Sequence, residues 1–185
     1  FGLLARWPAT AEAPDAVPRK LRVIAELGQA VGAAGMVGGQ AIDLAVTGSC
    51  GPHRAGASLD LAALSDMHAR KTGGLIRAAA VGGAIMAGAS AEQVAAMSAF
   101  AARVGLAFQI VDDVLDVEGC AATLGKTAGK DAGAGKVTFP GLVGRDQARL
   151  MAIEAVADAE AVLAGAGLSS PYLTGLARSV VHRRD

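Results

Sequence analysis

Aromatic residues make up only 3% of this sequence, which excludes most sheet-rich folds, because aromatic and β-branched side chains fill the faces of strands. An excess of charge of one sign is also lacking. The 17 Lys and Arg balance 17 Asp and Glu, so no broad basic surface for nucleic acid or anionic lipid is implied, and any charge chemistry has to be local. The two cysteines, Cys50 and Cys120, each sit beside a glycine, and neither has a partner spaced for zinc or for a redox motif. Reduced thiols in a cytoplasmic protein fit that usage. The longest uncharged apolar run, between Arg77 and Glu92, is too short to span a bilayer and is mostly Ala and Gly, so a protein that does not span a membrane is expected. The chain opens at Phe1 with no initiator Met and no signal peptide. Its apolar FGLLARW start reads as the end of a helix, and the expectation is that an N-terminal part precedes it.

What the sequence does contain is apolar residues, at 52%, together with abundant Ala and 25 Gly. With 185 residues this supports a single domain over residues 1–185 with a sizeable core. Small residues at helical spacing point to an all-α fold whose helices approach closely. Leu21, Ile24, Leu27, Val31 and Ala34 predict one helix from Arg19 to about Val46. After a Gly- and Ser-rich loop, Ser58 is a candidate N-cap for a short helix to about Arg70, and a further helix is expected from Lys71 to about Ala87. Ser90 and Gln93 form a capping box for a long helix ending near Val117. Seven glycines and three lysines between Glu118 and Gly144 suit a lid or phosphate loop better than a regular helix. Helices from Asp146 to Leu163 and from Pro171 to the basic end HRRD complete the reading.

The main chemical signal lies in the long helix. In GLAFQIVDDVLDVEG, Gln109, Asp112, Asp113 and Asp116 occupy positions i, i+3, i+4 and i+7, which places them on one helix face. The remaining faces are apolar, so the stripe is expected to look into a cavity. Three carboxylates so close repel one another unless cations compensate them. Hard oxygens with open coordination positions are what Mg²⁺ bound to a substrate phosphate requires. A solvated acidic face, or carboxylates paired with lysines, is the alternative, and the apolar flanks weigh against it.

Basic and polar partners are available. His68, Lys71 and Thr72 repeat the i, i+3, i+4 spacing, and a lysine beside a hydroxyl can hold a diphosphate oxygen, although Lys71 alone would read as a surface lysine. Lys126, Lys130 and Lys136 lie among glycines that let backbone N–H groups and ammonium groups converge on an anion. Gln40 and Asp43 lie three apart in GMVGGQAID, where an interhelical packing contact and direct substrate contact are both open. His53, His68 and His182 form no cluster with other ligands, so zinc is not expected.

These residues resemble the trans-isoprenyl diphosphate synthases, or polyprenyl synthetases, especially bacterial farnesyl and geranylgeranyl diphosphate synthases. GMVGGQAIDL, MHARKTGGLIRAA, GLAFQIVDDVLDV and LGKTAGKDAGAGKVTFPGL are similar to that family's GGQ-x-x-D, H-x-x-KT-G/A, FQ-plus-DDxxD and LGK…D…GK-x-T-x-P segments, in the same order. The resemblance implies an all-α isoprenoid-synthase helical barrel around a central cavity, with its N-terminal helices absent from this chain. It implies condensation of an allylic diphosphate with isopentenyl diphosphate, with three Mg²⁺ ions and a homodimer. Carried over, Asp112, Asp113 and Asp116 would hold metal. Lys71, Lys126 and Lys136 would hold the diphosphate, Thr72 and Gln109 would flank the allylic cation, and Phe108 and Gln40 would contact substrate. The family's first aspartate-rich motif is absent, since Asp112 and Asp113 are the sole adjacent aspartates. A class I terpene cyclase, or a noncatalytic subunit of a heteromeric prenyltransferase, remains an alternative on these residues.

Overall fold

The computed structural model describes residues 1–6, 15–47, 59–123 and 136–183. Every regular element among them is helical: α1 (Gly2–Arg6), α2 (Ala16–Val31), α3 (Met36–Val46), α4 (Leu61–His68), a π-helical turn (Ala69–Gly73), α5 (Gly74–Met86), α6 (Ala91–Thr123), α7 (Phe139–Val143), α8 (Arg145–Gly165) and α9 (Pro171–His182). The single helix expected over residues 19–46 is two. The Gly32–Gly35 stretch leaves helical geometry, and a Cβ on Gly35 would collide with the Ala30 carbonyl. The next two predicted helices are instead one continuous rod through the π turn. Its N-cap is Asp60, whose carboxylate accepts from the Ala63 N–H at 2.8 Å, whereas Ser58, the expected cap, lies outside the described residues.

Helix α6 runs through the middle of the packing. Ser90 and Gln93 open it as a reciprocal capping box, with Ser90 N–H donating to Gln93 Oε1 at 2.9 Å and Gln93 N–H to Ser90 Oγ at 3.3 Å. Its apolar residues meet α4, α7, α8 and α9 in the main core. Ala148, Ala152, Ala155 and Ala159 line the buried face of α8, and these small side chains let α8 pack closely along α6. Phe139, Leu64, Ile110 and Leu163 are fully enclosed, each contributing about 1.5–3 kcal/mol of burial. A smaller cluster of Val23, Val81, Ile85 and Val94 joins α2, α5 and the start of α6. By length and composition the stretch Ala91–Gly119 could cross a membrane, yet half of its most apolar window is buried inside the fold. It is a core helix that carries three aspartates in its second half.

Candidate active site

Sequence spacing places Gln109, Asp112, Asp113 and Asp116 within an arc of about 100° on α6. That width is enough to send the two edges of the stripe to different neighbours. At one edge, Asp113 turns inward and is fully buried. Its Oδ2 accepts from the Phe139 N–H at 3.1 Å, and its Oδ1 stands 3.6 Å from Lys136 Nζ. At the other edge, Asp112 faces the end of α9 and accepts from Arg183 at 2.9 Å. Asp116 lies between them and is 64% exposed, with Lys136 Nζ 3.6 Å from its carboxylate. The three aspartates are therefore not equivalent: Asp112 and Asp116 stand at the mouth, while Asp113 belongs to the floor.

That floor is tight. His68 is 4% exposed and its ring stacks on Phe139 with centroids 5.8 Å apart. Burial pushes the His68 imidazole down to about 4, the Lys136 ammonium adding to the effect. Among the described residues neither ring nitrogen has a hydrogen-bond partner, and Asp113 Oδ2 lies 3.9 Å from Nε2, too far for one. Burial also pushes the Asp113 carboxyl above the usual carboxylate range, opposed by the Phe139 N–H and by Lys136.

Across from α6, the rod formed by α4, the π turn and α5 widens at Ala69–Gly73, and the wide turn carries Lys71 and Thr72. Thr72 Oγ1 donates to Gln109 Oε1 at 3.0 Å. Lys71 Nζ donates to Asp43 Oδ2 on α3 at 2.6 Å. This arrangement needs glycine at two places: a Cβ on Gly39 would strike the Lys71 backbone, and one on Gly105 would come 3.2 Å from the Gly73 Cα. Gln40 is half-buried on the same helix as Asp43. Phe108 carries the Arg183 guanidinium 4.5 Å above its ring, and both border an apolar cavity of about 990 Å³ between α5, α6 and α9, lined also by Ile76, Met97, Phe100 and Leu173. Lys126 and Lys130, with residues 124–135 of the segment expected as a lid, lie outside the described residues, while Glu118 to Thr123 belong to α6 and Phe139 to Val143 form α7.

Among the described residues no three His, Cys, Asp or Glu side chains converge as a ready-made metal cage. The donor set at the mouth is two carboxylates one turn apart. That fits a hard divalent cation whose other positions are taken by water and a phosphate-bearing ligand, and it does not fit zinc. The site thus joins hard oxygens, lysines at its edge and a neighbouring apolar cavity.

A family model described as Polyprenyl synthetase matches residues 9–162. The chain belongs to that family. Among relatives of this polyprenyl synthetase, a dimethylallyltranstransferase from Fischerella ambigua is 42% identical over 165 residues, covering 89% of this chain and 46% of its own. The farnesyl diphosphate synthase of Escherichia coli is 41% identical over 178 residues, covering 94% and 57%. The crystal structure of a geranyltransferase from Helicobacter pylori, complexed with magnesium and isoprenyl diphosphate, superposes with a TM-score of 0.72 at 26% identity, over 98% of this chain and 55% of that one. The polyprenyl synthetase chain thus spans about half the length of the relatives it matches.

Several contacts of this polyprenyl synthetase escape sequence reasoning, among them the Phe139 N–H on Asp113 and the stack of His68 on Phe139. Arg183 on Asp112 joins residues 71 positions apart, and the single trace of it was the basic character of the C-terminal HRRD. The Asp43 ion pair to Lys71 was foreshadowed by the glycines before Gln40, but its partner could not be named from spacing.

Proposed function

We propose that this polyprenyl synthetase is a Mg²⁺-dependent prenyltransferase, condensing an allylic diphosphate with isopentenyl diphosphate into a longer trans-isoprenyl diphosphate of farnesyl or geranylgeranyl length. The observation that carries the reading is the pairing of Thr72 with Gln109 beside the Asp112–Asp116 mouth and the Lys71 and Lys136 ammonium groups. Magnesium would be held by Asp112 and Asp116, and when bound it would neutralise charge on the diphosphate.

The chain's own residues do the rest. Lys71 and Lys136, with Lys126, bind the diphosphate and stabilise the negative charge it gains as the allylic C–O bond breaks and the electron pair leaves with it. With its O–H donating a hydrogen bond to Gln109 Oε1, the Thr72 hydroxyl keeps oxygen lone pairs to face the allylic cation. The apolar cavity beside Phe108 suits a hydrocarbon tail and keeps water from the cation. The π electrons of isopentenyl diphosphate form the new C–C bond, and a proton leaves to the departed diphosphate, so no side-chain base is required. A homodimer is part of this reading. The related proteins matched here are synthases and transferases, and nothing in them favours a terpene cyclase or a noncatalytic subunit.

The test is incubation of the purified protein with geranyl diphosphate, isopentenyl diphosphate and Mg²⁺, with products separated by chain length after phosphatase treatment. Binding of inorganic pyrophosphate with and without Mg²⁺ is read by calorimetry. Elongated product lost in EDTA is the expected result. Absence of both elongation and Mg²⁺-dependent pyrophosphate binding overturns the reading.

A further inference from the structure

The aspartate at the inner edge of the stripe has a different environment from the other two. Asp112 is 42% exposed and Asp116 64%, whereas Asp113 is fully buried. Both of its oxygens face one short segment of chain: Oδ2 takes the Phe139 N–H, and Oδ1, which accepts no hydrogen bond among the described residues, lies 3.6 Å from Lys136 Nζ as an ion contact. Phe139 is itself fully enclosed at the start of α7, stacked on buried His68. Thr138 also fixes this turn by accepting from the Gly141 N–H at 3.2 Å. The stretch from Lys136 to Phe139 is therefore pinned at both ends by one carboxylate. The same pinning leaves Lys136 Nζ 3.6 Å from Asp116, at the mouth.

We propose that Asp113 is a positioning residue rather than a metal ligand: it holds the 136–139 stretch so that the Lys136 ammonium stands at the mouth to receive diphosphate, while Asp112 and Asp116 supply the metal-facing oxygens. This rests on the reading of the mouth as a Mg²⁺-diphosphate site. A metal-ligating role for Asp113 would place a cation against a carboxylate with no solvent exposure, one of whose oxygens already takes a backbone N–H, whereas Asp112 and Asp116 are partly open to solvent.

The substitutions D113N, K136Q, the D113N/K136Q pair and D112N separate the roles. Asn keeps an acceptor for the Phe139 N–H but loses the charge facing Lys136, and Lys136, at 40% exposure, tolerates Gln without loss of the fold. Two probes are used, Mn²⁺ alone by water-proton relaxation and inorganic pyrophosphate with Mg²⁺ by calorimetry. Circular dichroism serves as the folding control. D113N is expected to bind Mn²⁺ within about threefold of the parent, while D112N, losing a direct ligand, weakens it about tenfold or more. D113N and K136Q should each weaken pyrophosphate binding by about tenfold, the effect of one charge-assisted contact. The pair should be no more than about twofold worse than the weaker single, because both remove one interaction. Loss of Mn²⁺ affinity in D113N equal to that in D112N, or additive losses of pyrophosphate binding, overturns the proposal. If D112N leaves Mn²⁺ binding unchanged, it is the metal reading of the mouth that fails, and the pyrophosphate cycle still decides the role of Asp113.

Discussion

Substituting alanine at Gly39 and at Gly28 should change stability in opposite directions, although both residues are helical glycines. At Gly39, a Cβ would meet the backbone N of Lys71 and lie 2.7 Å from its Cα and 2.8 Å from its Cβ. These atoms belong to the π turn, which is tied below by Thr72 to Gln109 and above by Lys71 to Asp43, so neither side can give freely. Overpacking of this kind costs about 1–3 kcal/mol. The intrinsic helical advantage of Ala over Gly, about 0.5–1 kcal/mol, offsets only part of it. At Gly28, within α2, no atom lies within 4 Å of the added Cβ, so the same advantage appears undiminished. For a chain of this size each kcal/mol moves Tm by roughly 2–4 °C. Gly28→Ala should therefore raise Tm by roughly 1–4 °C. Gly39→Ala should lower it by a few degrees and weaken pyrophosphate binding, because Lys71 moves with the backbone that is pushed away. Differential scanning calorimetry on both variants checks this. Equal shifts of the same sign would refute the claim that α3 rests directly on the π turn.

Three further outcomes follow from the same geometry. His68 remains neutral in the folded chain down to about 4, whereas the unfolded chain takes up that proton near 6.5. Stability is therefore complete above about pH 6.5 and falls by about 1.4 kcal/mol per unit as pH drops toward 4. The raised Asp113 carboxyl gains its proton earlier in the folded state and opposes the loss at the acid end. Denaturant titrations at pH 7.5 and 5 should give a drop of about 2 kcal/mol from His68, absent in His68→Leu, and identical pH slopes would contradict it. Arg183 neutralises Asp112 where a cation would bind. Arg183→Met should change stability by less than about 1 kcal/mol, since the pair is partly exposed, and should tighten Mn²⁺ binding severalfold, which relaxation titration would disprove by showing weaker binding. Phe139→Ala leaves a cavity beneath the aspartates and should cost about 3–5 kcal/mol, and a Tm loss under about 5 °C would show that Phe139 is not the keystone of this floor.

Where hydrophobic period and capping chemistry agree, the elements were readable from sequence. The all-α class, the Ser90–Gln93 box and the bounds of α8 to within two residues all rest on local rules, as does the presence of a polar stripe on an otherwise apolar α6. Two differences fall where one turn departs from 3.6 residues, and a third where α6 runs through Gly119 to Thr123 rather than ending near Val117. Residues 19–46 look continuous because Leu21 to Ala34 keep the period, yet Gly32 and Gly35 permit a break that apolar spacing alone cannot show. At Arg70–Lys71 the sequence expectation of two helices meets one rod, in which buried positions step five residues from His68 to Gly73 through the π turn. For the site, the face shared by Gln109 and the aspartates was legible, but its division was not. Which edge of a 100° arc meets Phe139 and which meets Arg183 depends on segments remote in sequence.

The five-residue step has a further consequence when the rod is regarded as a gear. One additional tooth at Ala69–Gly73 lets both ends mesh with the core at once, with Leu64 and Met67 before it and Val81 and Ile85 after it. Deleting a single residue there would yield a more regular helix with better local hydrogen bonding, but it would rotate one end against the other by about 100° and unmesh whichever end was free to turn. Lys71 and Thr72 sit on the additional tooth itself. Selection for a straighter and locally more stable helix would therefore pull Lys71 away from Asp43 and Thr72 away from Gln109, so the irregularity persists as long as those pairings are needed.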